Sequence, residues 1–194
     1  MTNKLGFATA ITYFLLAAAA SAQPVGFGVK FGAPLNDAFV LQSPNPLQYV
    51  ADTRRYTAGP FIELRLPLRF AIEVDALYKS YEFRRSGTGS AAVSASSWEF
   101  PVLAKYKFFG GPIQPYVEGG VAFARLTDVP NIVELNVKNN VGAVAGAGLE
   151  FHLGFIRISP EVRYSGWSRR FFSSPGDYLQ SNRNQATVLV GISF

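Results

Sequence analysis

Three regularities predict an all-β chain that closes as an eight-stranded antiparallel transmembrane up-and-down β-barrel. Large apolar residues recur at every second position in eight segments, charge is confined to one face of those segments, and the connections alternate between long and short. The chain has 194 residues, 48% apolar and 14% aromatic, which suits one domain and is too rich in rings for a disordered polymer. Only 16% of residues are charged, against about a quarter in a soluble domain. Beyond residue 22 no apolar run approaches the roughly 20 residues of a spanning helix. With no cysteine, disulfide scaffolds, cysteine-ligated metal sites and cysteine nucleophiles are excluded.

Residues 1–22 read as a signal peptide. Lys4 gives a positive start, Leu5 to Ala20 form an apolar stretch, and Ala20-Ser21-Ala22 is a small-x-small cleavage pattern, so cleavage after Ala22 is expected. Residues 23–194 then form the β-barrel domain, exported from the cytoplasm.

The first strand is Val25 to Ala33, where large apolar residues alternate with glycine or lysine. The second places Ala58, Pro60, Ile62, Leu64 and Leu66 on one face, and the third Phe70, Ile72, Val74, Ala76 and Tyr78. Trp98, Phe100, Val102, Ala104, Tyr106 and Phe108 mark the fourth; Val117, Gly119, Val121 and Phe123 the fifth. Ala143, Ala145, Ala147, Leu149 and Phe151 follow, then Ile156, Ile158, Pro160, Val162 and Tyr164, and finally Ala186, Val188, Val190, Ile192 and Phe194. None of these positions is charged.

The opposite face carries the acids Glu63, Glu73, Asp75, Glu99, Glu118, Glu150 and Glu161 and the bases Lys30, Arg65, Lys79, Lys105, Lys107, Arg157 and Arg163, seven of each. A closed, low-dielectric interior requires such a balance, because a buried unpaired ion costs several kcal/mol. The expectation is therefore a lumenal charge network.

Long connections (34–54, 84–97, 125–140 and 168–184) alternate with short ones (67–69, 109–114 and 153–154), so four loops fall at one end and three turns at the other. Pro60, Pro101, Pro115 and Pro160 lie in or beside strands, where proline removes a ladder donor, and bulges or strand ends are expected there.

A soluble barrel with the apolar face inward would show the same alternation. Eight strands leave room only for modest side chains inside, yet the uncharged face holds the bulky rings while the charged face is diluted by Gly26, Gly28, Gly32, Gly59, Gly120, Gly142, Gly146 and Gly148. Rings also collect at strand ends: Tyr56, Tyr78, Trp98, Phe123 and Tyr164 at the long-loop end; Phe70, Tyr106, Phe108, Phe151 and Phe194 at the other, as two interfacial girdles. One basic residue at the bilayer midplane on the lipid side costs about 2–4 kcal/mol, so a one-residue shift of every strand would cost on the order of tens of kcal/mol.

The terminal ATVLVGISF, apolar at every second place back from Phe194, resembles the signal by which the barrel-assembly machinery recognises outer-membrane clients. WEFPVLAKYKF, QPYVEGGVAF and ISPEVRYSGW resemble strand motifs of the outer-membrane protein β-barrel domain family, related to the OmpA/OmpX-type barrels, over residues 25 to 194. The resemblance implies a bacterial outer-membrane location, a lumenal salt-bridge network, and a structural or surface-contact role such as envelope integrity or adhesion. The sequence departs from the larger OmpA-type proteins after its eighth strand, and no peptidoglycan-binding domain is expected.

The interior carboxylates show no spacing that marks an acid/base pair. His152, the sole histidine, is the only residue able to serve a His-dependent hydrolase such as a lipid A deacylase or palmitoyltransferase, but it points inward beside the short turn, so no enzyme activity, cofactor or metal is expected. Gly142, Gly146 and Gly148 lack the strand-to-helix setting of a nucleotide loop. A packed eight-stranded lumen excludes general solute diffusion; a narrow ion channel is the alternative reading. The pairs Arg54 and Arg55, Arg84 and Arg85, and Arg169 and Arg170 stand where strands meet long loops, at the expected height of lipopolysaccharide phosphates, which guanidinium groups grip as a fork. Val40, Leu41, Tyr49, Val50, Phe171, Phe172 and Tyr178 give the loops apolar content suited to contact. Outer-membrane lipid, lipopolysaccharide and the assembly machinery are the expected partners of a monomer. Nucleic acid is not, because export separates the chain from it.

Overall fold

A computed structural model describes residues 25–35, 39–41, 49–50, 56–85, 92–128, 134–135, 139–170, 172–173 and 179–194. Its strands are β1 (Val25–Pro34), β2 (Phe39–Leu41), β3 (Tyr49–Val50), β4 (Tyr56–Arg65), β5 (Phe70–Asp75), β6 (Leu77–Arg85), β7 (Ala92–Lys107), β8 (Ile113–Asp128), β9 (Glu134–Leu135), β10 (Asn139–Leu153), β11 (Ile156–Trp167), β12 (Phe172–Ser173), β13 (Leu179–Ser181) and β14 (Asn184–Ser193). No helix among the described residues is long and apolar enough to cross a membrane.

Eight antiparallel barrel strands result, β5 and β6 together forming the third, and β1 pairs with both β4 and β14 to close the sheet. Partners traced from Val25 run through Leu64, Ile72, Ala104, Gly119, Ala145, Tyr164 and Ala186. The circuit ends at Leu35, whose N–H donates to the Ala186 carbonyl at 2.8 Å. Closure is thus staggered by ten residues, from Val25 to Leu35, and such a stagger obliges the strands to tilt. Beyond the barrel, β3 adds to β6, and β2, β13, β12 and β9 form a small second sheet from the long connections.

Alternation decides the two faces. Ile62, Val74, Val102, Val121 and Val162 point outward, among thirty exposed large apolar residues, whereas their neighbours Glu63, Glu73, Leu103, Ala122 and Glu161 are buried. Exposed apolar patches on soluble monomers rarely exceed a few hundred Å²; a belt around a whole barrel needs a hydrocarbon solvent. Ring pairs edge it, Tyr56–Tyr78 (6.3 Å) and Tyr78–Trp98 (5.4 Å) at the loop end and Phe70–Tyr106 (5.0 Å), Tyr106–Phe108 (5.4 Å) and Phe27–Phe194 (6.1 Å) at the turn end.

The short turns close tightly. Leu68 and Arg69 both take positive φ, 61° and 68°, a conformation whose twist suits a two-residue hairpin but which is usually left to glycine or asparagine. Gly154 supplies the same region of φ at the turn between β10 and β11.

Several details depart from the sequence-based expectations. The four prolines lie inside strands, and the register shift among the described residues falls at Ser96/Ser97 instead. Each proline keeps its carbonyl as an acceptor and forfeits one donor: Ala76 N–H still donates to Pro60 O (2.9 Å), with the β5/β6 interruption at Ala76 directly opposite. At Pro115 the lost donor is replaced, because Phe108 N–H donates to Pro115 O (2.9 Å) while Arg69 Nη1 donates to the Phe108 carbonyl (2.6 Å). The strands also outrun the expected bounds, so that Arg84, Arg85 and Arg125 belong to β6 and β8, not to loops. Nor is the interior uniformly small. Tyr116 and Trp167 are fully buried within it, beside Gly148 and Gly142, where a Cβ would come within 2.6 Å and 2.8 Å of their rings.

Candidate functional site

The interior is the best-defined constellation of chemistry in the described residues. Lys30 from β1 is the hub: its Nζ stands 2.5 Å from Glu73, 2.9 Å from Glu161 and 3.8 Å from Asp75, under the face of Phe61 at 4.9 Å from the ring centroid. Arg163 from β11 reaches Asp75 (2.6 Å), Glu161 (2.7 Å), Glu118 (2.9 Å) and Glu73 (3.3 Å). Lys105 from β7 completes the centre on Glu73 (2.5 Å), Glu63 and Glu118 (both 3.6 Å). All these side chains are buried, so each ion depends on its partners for the solvation it has lost. Tyr116 joins them, donating to Glu161 at 2.6 Å with Lys105 Nζ 4.5 Å above its ring.

Toward the short turns the network continues through Lys107, which bridges Glu63 (3.0 Å) and Glu150 (2.8 Å), then through Arg65 on Glu63 (3.2 Å) and His152 on Glu150 (2.6 Å). Toward the long loops it meets an apolar cluster of Leu103, Ala122, Ala124, Leu126, Val144 and Trp167, with Thr57, Ser97, Ser165 and Gln185 also buried at that end. Lys79 and Glu99 pair at 2.8 Å on that side. Arg157 alone of the fourteen sequence-selected charges makes no ion pair among the described residues, and its Nη1 is buried without a hydrogen-bond partner. The oxygens Asp75 Oδ1 and Glu118 Oε2 likewise accept no hydrogen bond.

Glu73, Glu118 and Glu161 bring carboxylate oxygens within 4.8 Å of one another. Lys30, Lys105 and Arg163 already occupy the space among them as counter-charges, so the arrangement is chemically an ion lattice. His152 bonds to a carboxylate, and neither touches a serine among the bonds described. Tyr116 is the participant that sequence reasoning passed over, although it shares parity with Glu118 and so must face inward.

Of the rim arginines, Arg54 and Arg55 lie outside the described residues. Arg84 and Arg85 sit in β6 opposite Val50 and Tyr49 of β3. Arg169 and Arg170 are exposed just past β11, where Asn140 fastens the chain: its Nδ2 donates to Arg169 O (2.6 Å), and its Oδ1 accepts from Ser168 Oγ (3.0 Å) and Arg169 N–H (3.2 Å). Phe194 is exposed, its N–H donating to Phe27 O at 3.1 Å. Residues 1–22, expected as a signal peptide, and Phe171 and Tyr178 fall outside the described residues, and only the backbone is described for Val40, Leu41, Tyr49, Val50 and Phe172.

The family described as "Outer membrane protein beta-barrel domain" matches residues 20–166. Among solved structures, the chain is similar to Neisserial surface protein A at TM-score 0.57 and 12% identity, over 89% of this chain and 97% of that one. It is also similar to the N-terminal β-barrel domain of Pseudomonas aeruginosa OprF (TM-score 0.48, 17% identity, 90% and 100% covered) and to the outer membrane enzyme PagL (0.42, 17%, 87% and 98%). At these identities the likeness concerns the fold. No curated protein matches the sequence.

Proposed function

Because this chain belongs to the outer membrane protein beta-barrel domain family and so resides in the bacterial outer membrane, we propose that it is a structural or surface-contact barrel, serving envelope integrity or adhesion, whose lumen is sealed. The observation that carries this reading is the filled interior. A lattice of ions centred on Lys30, Lys105 and Arg163 occupies the part nearer the turns, and the cluster of Leu103, Leu126, Val144 and Trp167, together with the Lys79–Glu99 pair, occupies the part nearer the loops. An ion crossing this barrel would have to displace paired charges and pass closely packed apolar side chains, both of which oppose it.

The narrow-channel reading draws its support from Asp75 Oδ1 and Glu118 Oε2, buried oxygens with no hydrogen-bond donor among the described residues and hence suited to water. A catalytic role finds less support, since His152 is held by Glu150 inside the wall and away from lipid. Recognition by the assembly machinery through Phe194, and binding of lipopolysaccharide phosphates at the rim, are further parts of the proposal.

Planar-bilayer recording on protein whose folded state is certified by heat-modifiable migration tests it. Silent bilayers support the sealed barrel; reproducible unitary conductance establishes the channel instead. Overexpression followed by mass analysis of lipid A settles the enzymatic reading, an unchanged profile being expected.

A further inference from the structure

A lateral groove of about 550 Å³ opens on the outer wall of the barrel at the long-loop end. Its floor is apolar, formed by Val121 of β8, Val141 and Ala143 of β10 and Gly166 of β11, and Arg183 and Asn184 stand at its edge. Val121, Val141 and Ala143 belong to the lipid-facing set, so the groove lies in the wall and not in the lumen.

The charge around it is one-sided. The segments that build this sector, residues 121–127, 139–145, 164–170 and 182–188, contain Arg125, Arg169, Arg170 and Arg183 and no acidic residue. Arg125 points outward from β8 opposite Asn139, at the top of the strands that frame the floor. Most charges inside the barrel are paired with an opposite charge, so four arginines on segments without an acidic residue, with Arg183 lining an apolar trough, are a departure.

The rim is also fixed in place. Arg183 Nε donates to Trp167 O at 3.0 Å, Trp167 N–H donates back to Arg183 O at 2.8 Å, and Ser168 N–H donates to Val141 O at 2.9 Å. Together with the Asn140 clasp on Ser168 and Arg169, these bonds hold the edge of the groove in one shape, which lowers the ordering entropy a ligand must overcome.

We propose that this groove binds a phosphorylated, multiply acylated glycolipid of the outer leaflet, with one acyl chain along Val121, Val141 and Ala143 and its phosphate gripped by Arg183 and Arg169. The occupant follows from charge complementarity and from position. A site on the lipid wall is filled from the membrane, and the arginines select an anionic head over a zwitterionic one. The inference rests on the proposed binding of lipopolysaccharide phosphates at the rim and deepens it by assigning the lipid a groove and the residues that hold it.

The full chain in phosphatidylcholine nanodiscs, with and without diphosphoryl lipid A, provides the test, with retained lipid counted by native mass spectrometry. One tightly held lipid A per barrel is expected. Arg183→Gln with Arg169→Gln should weaken its retention about tenfold or more, the scale of losing a charge-assisted hydrogen bond. Ala143→Phe, which blocks the floor on a surface that accepts apolar rings, should abolish retention while heat-modifiable migration is unchanged. Equal retention of phosphatidylcholine and lipid A by the unaltered protein, or undiminished retention by folded Ala143→Phe, overturns the assignment. Bilayer conductance of the same preparations reports separately on the sealed lumen, so either idea can fail alone.

Discussion

Replacement of Arg163 by methionine tests most directly whether the lumenal lattice holds the barrel together. The guanidinium contacts four carboxylates, Asp75 at 2.6 Å, Glu161 at 2.7 Å, Glu118 at 2.9 Å and Glu73 at 3.3 Å, and its side chain is 4% exposed. Without it, Lys30 and Lys105 are the cations left at the centre to four buried carboxylates. Removing one partner of a buried pair costs about 3–5 kcal/mol because it strands the other. The four contacts share one cation and act as a unit, so the figure is not multiplied by four. Urea unfolding in lipid vesicles, followed by the fluorescence of Trp98 and Trp167, should register a loss in that range. Asp75→Asn in the same chain removes one stranded charge and should recover about 1–3 kcal/mol relative to the sum of the single losses. A loss below about 1 kcal/mol for Arg163→Met, within the range of exposed ion pairs, would refute the reasoning; so would strict additivity of the double variant.

Other consequences are equally open to measurement. Val74→Arg places a cation on the hydrocarbon side of β5 and should cost about 2–4 kcal/mol in vesicle unfolding; a neutral result would mean that the face is not immersed. Gly148→Ala brings a Cβ within 2.6 Å of the Tyr116 ring and 2.7 Å of Pro160 O, so an overpacking loss of about 1–3 kcal/mol is expected, read as a lower urea midpoint. Arg69→Gln takes the guanidinium from Phe108 O and should cost about 0.5–1.5 kcal/mol. Pro115→Ala, which returns the backbone donor, should suppress that loss in a double-mutant cycle, whereas equal losses on both backgrounds would show that the two donors are unrelated.

The fold was legible because a pleated strand has a period of two and the two solvents of this molecule could hardly differ more. Hydrocarbon outside and ions inside impose opposite demands on adjacent residues, and strands such as Ile62-Glu63-Leu64 and Ile72-Glu73-Val74 carry both. Strand ends were less legible. Hairpins continue past the membrane where neither solvent dictates the pattern, which is why Arg84, Arg85 and Arg125 belong to strands. The prolines misled for a related reason: a lost donor is a local defect that a distant side chain can repair, as Arg69 does at Phe108, and no local pattern announces the repair.

By itself, then, the sequence determined which residues face lipid, which face the axis, and that the axial charges balance, since each follows from residue parity within a single strand. Only the tertiary structure decided that Lys30 meets Glu73 and Glu161 while Arg157 makes no ion pair among the described residues, that Tyr116 and Trp167 fit where glycines leave room, and that Ser168 and Arg183 line one groove. Those pairings join residues up to 131 positions apart, and they depend on the ten-residue stagger at which β1 meets its first and last neighbours. Stagger is a property of the closed circuit of strands, and no single strand contains it.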